Sequence, residues 1–239
     1  VAAGYSGGSG RAGRFEVARY KPSGRLDPSF SSDGRVKTRF RGDRFKGSSF
    51  ANSVAIDSRD RIVAAGFTAD GGFALARYTP SGGLDSSFWG NGKVRTHLGG
   101  AIARSVGIDS NDGIVAAGLR GRDDFQLVRY SENGQGLDPS FGVGGKVRTP
   151  FPGGRGAYAV AIDSQGRIVA AGSCHVHGRV GFAVARYEQN GVLDPSFGDA
   201  GKVKTPFQGG SLSARAVAID SQDRIVAGGS YFVVARYIG

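Results

Sequence analysis

The sequence predicts an all-β protein, a β-propeller of about five four-stranded blades, and three observations carry that expectation. One unit of about 56 residues recurs through the chain, and its apolar segments alternate with period two. No stretch of ten or more residues shows the i, i+3, i+4 spacing of an amphipathic helix, and 42 glycines would weaken any helix that started.

The repeat is read from four motifs that recur in the same order. Leu-Asp-x-Ser-Phe starts at Leu26, Leu84, Leu137 and Leu193, with steps of 58, 53 and 56 residues. The pattern F-x-[VL]-[AV]-R-Y starts at Phe15, Phe73, Phe125, Phe182 and Phe232, and V-[AG]-I-D-S starts at Val54, Val106, Val160 and Val217. Each unit divides into segments A to D. Segment A, Val-Ala-Ile-Asp, runs through a polar turn such as Ser58-Arg59-Asp60 into segment B, Arg-Ile-Val-Ala-Ala-Gly, which is the signature of a tight hairpin. Segment C, for example Phe73-Ala-Leu-Ala-Arg-Tyr78, alternates large and small side chains and so reads as a strand. Leu-Asp-x-Ser-Phe then leads to segment D, Gly-[KR]-Val-[RK]-Thr, which is β-branched and flanked by basic residues.

Four antiparallel strands per unit at this period are the arithmetic of a propeller blade. In order the chain supplies B, C and D, three full sets, then A, B and C: 18 strands in five blades of approximately 1–50, 51–102, 103–156, 157–213 and 214–239. The first blade lacks A and the last lacks D, so simple ring closure does not follow. Four blades with extra strands and an open β array are the alternatives. The small residues of A and B suit strands near a crowded axis.

Hydrophobic residues at 39% and aromatics at 10% exclude a disordered chain, and the longest apolar runs are too short for a membrane-spanning helix. The lone Cys174 forms no internal disulfide, and no zinc-type Cys/His framework is present. No cofactor is expected. A chain that begins at Val1 and contains no Met is expected to be processed, excised or incompletely known. A net charge of +11 favours an anionic partner: an acidic protein subunit or an anionic polymer, with polysaccharide and nucleic acid both open.

Phe182-Ala-Val-Ala-Arg-Tyr187, Leu193-Asp-Pro-Ser-Phe-Gly198, Gly201-Lys-Val-Lys-Thr205 and Ala216-Val-Ala-Ile-Asp220 with Arg224-Ile-Val-Ala227 resemble the bacterial delta-60 repeat family. The rhythm of A to C is similar to NHL-type propeller repeats. The resemblance covers essentially the whole chain and implies a propeller-like repeat protein that is extracellular, periplasmic or displayed on the cell surface. It brings no catalytic residues. The basic balance departs from the acidic, Asp-rich loops of many such repeats.

Positions that recur in every copy are read as architecture. Arg19, Arg77, Arg129, Arg186 and Arg236, with the Asp residues of Leu-Asp and Ile-Asp, are expected to be buried ion pairs, because a buried charge without a partner is costly. Phe30, Phe88, Phe141 and Phe197 are core plugs. The basic pairs Arg35/Lys37, Lys93/Arg95, Lys146/Arg148 and Lys202/Lys204 read as protection of an outer edge strand, ahead of a multivalent anion-binding rim.

Positions that vary between copies are the binding candidates. The B-to-C and D-to-A loops share one face of a propeller and differ in length here, as expected where a rigid scaffold presents binding loops. Immediately before strand A one slot reads Asn52, Arg104, Tyr158 and Arg215, which would ring the channel mouth. Around it stand Arg41, Arg44, Lys46, Arg120, Arg122, Arg155 and Arg179. Cys174, His175 and His177 are weak metal candidates within one loop, Arg41-Gly42-Asp43 matches an adhesion tripeptide by a pattern of high chance frequency, and Gly7-Gly-Ser-Gly10 reads as a flexible loop. Three histidines, no Gly-x-Ser-x-Gly elbow and no carboxylate pair outside the repeated positions point to a non-catalytic scaffold that binds through its basic loop face. A carbohydrate-binding propeller is the alternative, weakened because Trp89 occurs in one copy only. A channel-mouth lyase or hydrolase ranks below it.

Overall fold

The computed structural model of the chain describes residues 1–7, 13–40, 48–121, 124–207 and 212–238. They form 18 strands in five antiparallel sheets. The first sheet holds β1 (Ala2–Ser6), β2 (Arg14–Ala18) and β3 (Arg35–Thr38), which are segments B, C and D. The second holds β4 (Ser49–Ile56), β5 (Ile62–Thr68), β6 (Gly72–Tyr78) and β7 (Lys93–His97) in sequential order. The third repeats this with β8 (Ile102–Ile108), β9 (Ile114–Arg120), β10 (Asp124–Tyr130) and β11 (Lys146–Pro150), and the fourth with β12 (Ala157–Ile162), β13 (Ile168–Val176), β14 (Arg179–Tyr187) and β15 (Lys202–Thr205). The fifth has β16 (Ala214–Ile219), β17 (Ile225–Gly229) and β18 (Val234–Tyr237), which are A, B and C. Helical turns at Ser31–Gly34 and Ser230–Phe232 are the exceptions to an all-β chain among the described residues.

Successive A strands pack on one another, β4 on β8, β8 on β12 and β12 on β16, so A lies toward the axis and D is the outer edge. Edge position explains the charge on D, since lysine and arginine hinder pairing with a further strand. Several of these charges are also paired within their sheet: Lys37 with Glu16 at 2.6 Å, Arg148 with Asp124 at 2.5 Å, and Arg95 with Asp70. The packing runs from the first sheet to the fifth without comparable packing between those two, so the described residues form an open, propeller-like arc.

The motif residues are buried by the neighbouring sheet and by the loop before D. Phe15, Phe73, Phe125 and Phe182 are fully buried, whereas Phe232, at the same motif position but in the helical turn before β18, is 101% exposed. Beneath each of the first four C strands sits the plug of Leu-Asp-x-Ser-Phe, with Phe30, Phe88, Phe141 and Phe197 at 1% exposure or less. Arginine of segment C spans the plug: the guanidinium carbons of Arg77 and Arg186 lie 4.8 and 4.7 Å from the ring centroids of Phe88 and Phe197. Their Nε atoms donate to Asp85 and Asp194 at 2.7 and 2.6 Å, and the same carboxylates accept the backbone N–H and hydroxyl of Ser87 and Ser196. One motif therefore closes the turn, neutralises the arginine and fills the core.

The third sheet solves the same problem differently. Elsewhere an arginine at the start of segment B pairs with the Asp of Ile-Asp, as Arg61 does with Asp57 and Arg167 with Asp163. In the third sheet that position is Gly113, and Arg129 of segment C donates to Asp109 at 2.5 Å while keeping Asp138 at 3.1 Å. A Cβ on Gly113 would stand 3.0 Å from the Arg129 guanidinium, so the glycine opens the space the arginine uses.

Burial would raise the Asp85 and Asp194 carboxyls, but hydrogen bonds from Ser87 and Ser196 and the charges of Arg77 and Arg186 outweigh it and hold both below the ordinary value of 3.8. A depressed folded pKa means that the unfolded chain binds protons first. The stabilisation is therefore complete above the unfolded value and lost as pH falls through the folded one. The thermal midpoint is expected to stay flat between about pH 7 and 5 and to fall below about pH 4. A midpoint unchanged at about pH 3 would contradict the pairing.

A second contact latches sheet to sheet. The tyrosine ending segment C bonds the threonine ending segment D of the preceding sheet: Tyr78 to Thr38 at 2.7 Å, and Tyr130 to Thr96, Tyr187 to Thr149 and Tyr237 to Thr205, each at 2.8 Å. Burial, only partly offset by the Thr38 hydrogen bond, pushes the Tyr78 hydroxyl up to about 12, so the latch stays protonated under ordinary conditions. Replacing Tyr187 by phenylalanine is expected to cost about 1 kcal/mol in urea unfolding. Tyr20 in the first sheet is 50% exposed and latches to no threonine among the described residues, and replacing it should leave the unfolding midpoint of this chain unchanged.

Candidate functional site

Each A strand carries a register break at one residue, between Ala51 and Ser53, Ala103 and Ser105, Ala157 and Ala159, and Ala214 and Ala216. The extra residues are Asn52, Arg104, Tyr158 and Arg215. The sequence expectation is corrected here: the slot lies inside strand A, as a β-bulge, and not before it. A bulge re-aims a side chain out of the alternation of its strand.

The glycine ending segment B makes room for the bulge. A Cβ on Gly66, Gly118, Gly172 or Gly229 would stand 1.8, 1.9, 2.1 or 2.4 Å from the carbonyl oxygen of Phe50, Ile102, Gly156 or Ser213. No side chain fits beneath that crossing. Strand-to-strand pins hold the bulges in line, with Ser53 Oγ accepting from Val106 N–H and Ser105 Oγ from Val160 N–H, both at 3.1 Å.

The four slot residues meet in sequence across the sheets. Asn52 donates from Nδ2 to the Ala103 carbonyl at 2.7 Å. The Tyr158 ring receives the Arg104 guanidinium at 5.5 Å and the Arg215 guanidinium at 4.2 Å, from the sheets on either side. Beside this stack, Arg104, Tyr158, Arg155 and His175 line a hollow of about 560 Å³ whose lining also includes Gly121 and Gly154. Nε of Arg104 is buried and makes no hydrogen bond. Among the described residues no ion pair engages Arg104, Arg120, Arg155, Arg179 or Arg215, whereas Arg19, Arg77, Arg129 and Arg186 of segment C are all paired with carboxylates.

The B-to-C and D-to-A loops do meet on one face: Gly71 approaches Gly100, and Gly153 approaches His175. Asn52, Arg120, Arg155, Arg179 and Arg215 are exposed, and Arg104 and Tyr158 are half-buried. Of the sequence candidates, Arg104, Arg155 and Tyr158 share the hollow, Arg215 reaches it through Tyr158, and Asn52 and Arg179 do not line it. Arg41, Arg44, Lys46 and Arg122, together with the Arg41-Gly42-Asp43 tripeptide and most of Gly7-Gly-Ser-Gly10, lie outside the described residues.

The metal candidates separate. Cys174 is not in an exposed loop; it is fully buried in β13 and packs in the core, and burial raises its thiol pKa. His175, next along the strand, faces the opposite way and is exposed, while His177 sits in the hairpin turn at φ 49°. Adjacent strand residues cannot converge on one ion. Trp89 is also structural, with its ring edge-on to Phe88 and Tyr130. His175 as a wall of the hollow and the Tyr–Thr latch were not identified from the sequence, although a Tyr in every C and a Thr in four D segments were visible signals for the latch.

Residues 1–30, 60–88 and 164–197 match the model described as a domain of unknown function (DUF5122) beta-propeller. None of the curated proteins matches the chain. Among solved structures, a protein of unknown function from Bacteroides caccae superposes with a TM-score of 0.52 at 11% identity, over 98% of this chain and 72% of its own. A protein of unknown function from Dyadobacter fermentans gives 0.53 at 12% identity, over 94% and 67%. At this identity the likeness shows the propeller-like fold alone. No helix among the described residues is long and apolar enough to cross a membrane.

Proposed function

We propose that the chain is a non-catalytic, exported scaffold that binds an anionic ligand on its loop face, at the hollow walled by Arg104, Arg155, Tyr158 and His175. The observation that carries this reading is the segregation of the arginines. Those of segment C in the first four sheets are consumed by carboxylates, while those of the loop face are left with aromatic and solvent contacts, and Arg104 keeps a buried donor unused. Guanidinium groups so placed are suited to carboxylate, sulfate or phosphate. Among the described residues the lining of the hollow contains no carboxylate to pair with His175, which favours binding over acid–base chemistry.

Titration calorimetry with citrate tests this. The double substitution Arg104→Ala with Arg155→Ala is expected to weaken binding by about tenfold or more, and wild-type affinity should fall as salt rises. Affinity that is indifferent to both the substitutions and the salt would remove the proposal.

A further inference from the structure

The hollow beside Tyr158 does not end at the axis. Gly121, at the tip of the β9–β10 turn, also lines a second hollow of about 500 Å³ that runs outward and is lined by Gly99, Arg120, Asp124, Arg148 and Pro150. The two share the wall at Gly121, a residue without a side chain. Each is of a size that holds one small ligand unit. Among the described residues the outer hollow carries one acidic group, Asp124, which is 5% exposed and already bonded by Arg148 Nε at 2.5 Å. Arg120 adds an exposed cation with no carboxylate partner among the described residues. Positive charge therefore continues from Arg104 and Arg155 near the axis to Arg120 at the rim.

We infer that these two hollows form one groove for a linear acidic polysaccharide, a chain bearing a carboxylate or sulfate on successive sugars, with one unit in each hollow. The inference rests on the anion-binding reading above and adds its length and chemical class. Single-stranded nucleic acid is the other linear polyanion, but proteins that hold it supply exposed aromatic faces for base stacking. Here the aromatic rings of the described lining are Tyr158, which already has the guanidinium groups of Arg104 and Arg215 over it, and the imidazole of His175; the rest is glycine, proline, leucine and charged side chains. Such a groove reads charge and shape along a chain and offers, in His175, one open ring where a single strand needs a succession of them. Two linked sites are also expected to bind a polymer more tightly than either binds one unit, because the second contact becomes intramolecular.

The test compares galacturonic acid, an octagalacturonate and an eight-residue oligothymidylate by calorimetry at low salt, using the full chain and two variants. The octamer should bind at least about tenfold more tightly than the monomer. Arg120→Glu should remove most of that gain while leaving monomer affinity within about twofold, and Arg104→Ala should weaken monomer and octamer alike. An octamer no tighter than the monomer, or one unaffected by Arg120→Glu, would overturn the extended groove and leave the axial site standing. Monomer and octamer binding that both ignore Arg104→Ala would defeat the anion-binding reading itself. Oligothymidylate bound as tightly as the octagalacturonate would overturn the polysaccharide assignment. Unchanged far-UV circular dichroism and unfolding midpoints in both variants would show that the comparison concerns folded protein.

Discussion

Replacing Asp194 by alanine is expected to destabilise the protein by about 3–5 kcal/mol, because it strands a guanidinium that has almost no access to water. The Arg186 side chain is 2% exposed and Asp194 3%. The pair is joined at 2.6 Å over the Phe197 ring, and the same carboxylate holds the Ser196 turn. Removing it leaves the positive charge buried, with Ser196 and an aromatic face for company. The first sheet contains an internal control. Arg19 and Asp27 occupy the same motif positions but are 22% and 17% exposed, so water can replace the lost carboxylate, and Asp27→Ala should cost far less than Asp194→Ala. Urea unfolding of the two variants decides the matter, and equal losses would show that burial is not what makes the fourth-sheet pair matter.

Gly118→Ala is expected to cost about 3 kcal/mol, at the upper end of what overpacking produces, and to weaken citrate binding with it. The added methyl would stand 1.9 Å from the Ile102 carbonyl, a backbone atom that moves only if the bulge presenting Arg104 moves. Gly228→Ala is the matched control, because a Cβ there meets nothing within 4 Å, and it should be near neutral. If the two alanines behave alike in unfolding and in binding, the glycine is not what seats the bulge.

Much of the architecture was legible along the chain. Period-two alternation, turn chemistry and four recurring motifs specify 18 strands and their order within each sheet, because strand pairing here is between neighbours in sequence. The paired role of the segment C arginines was legible for Arg19, Arg77, Arg129 and Arg186, since a charge recurring beside fully apolar positions must be neutralised, but Arg236 is exposed and joins no ion pair among the described residues. The site was half legible. Asn52, Arg104, Tyr158 and Arg215 stand out as one variable slot in a constant frame. That they are bulges was hidden, because a bulge is a relation between two strands and leaves on either strand only an indirect mark, here the glycine ending segment B. The same limit applies to Cys174 and His175, which are neighbours in sequence and lie on opposite sides of β13.

By itself, then, the sequence determined the strand content, the repeat, the buried ion pairs and the charge that favours an anion. These are local or periodic properties, set by which side chains alternate and which turns the residues permit. Tertiary structure decided what depends on one sheet facing another. It left Phe232 exposed while its four counterparts are buried, aligned Arg104, Tyr158 and Arg215 into one stack, and joined two hollows across Gly121. Each of these arises from residues some 50 apart in the chain, brought together by packing of sheet faces that is non-directional and leaves no signature in the spacing of any one strand.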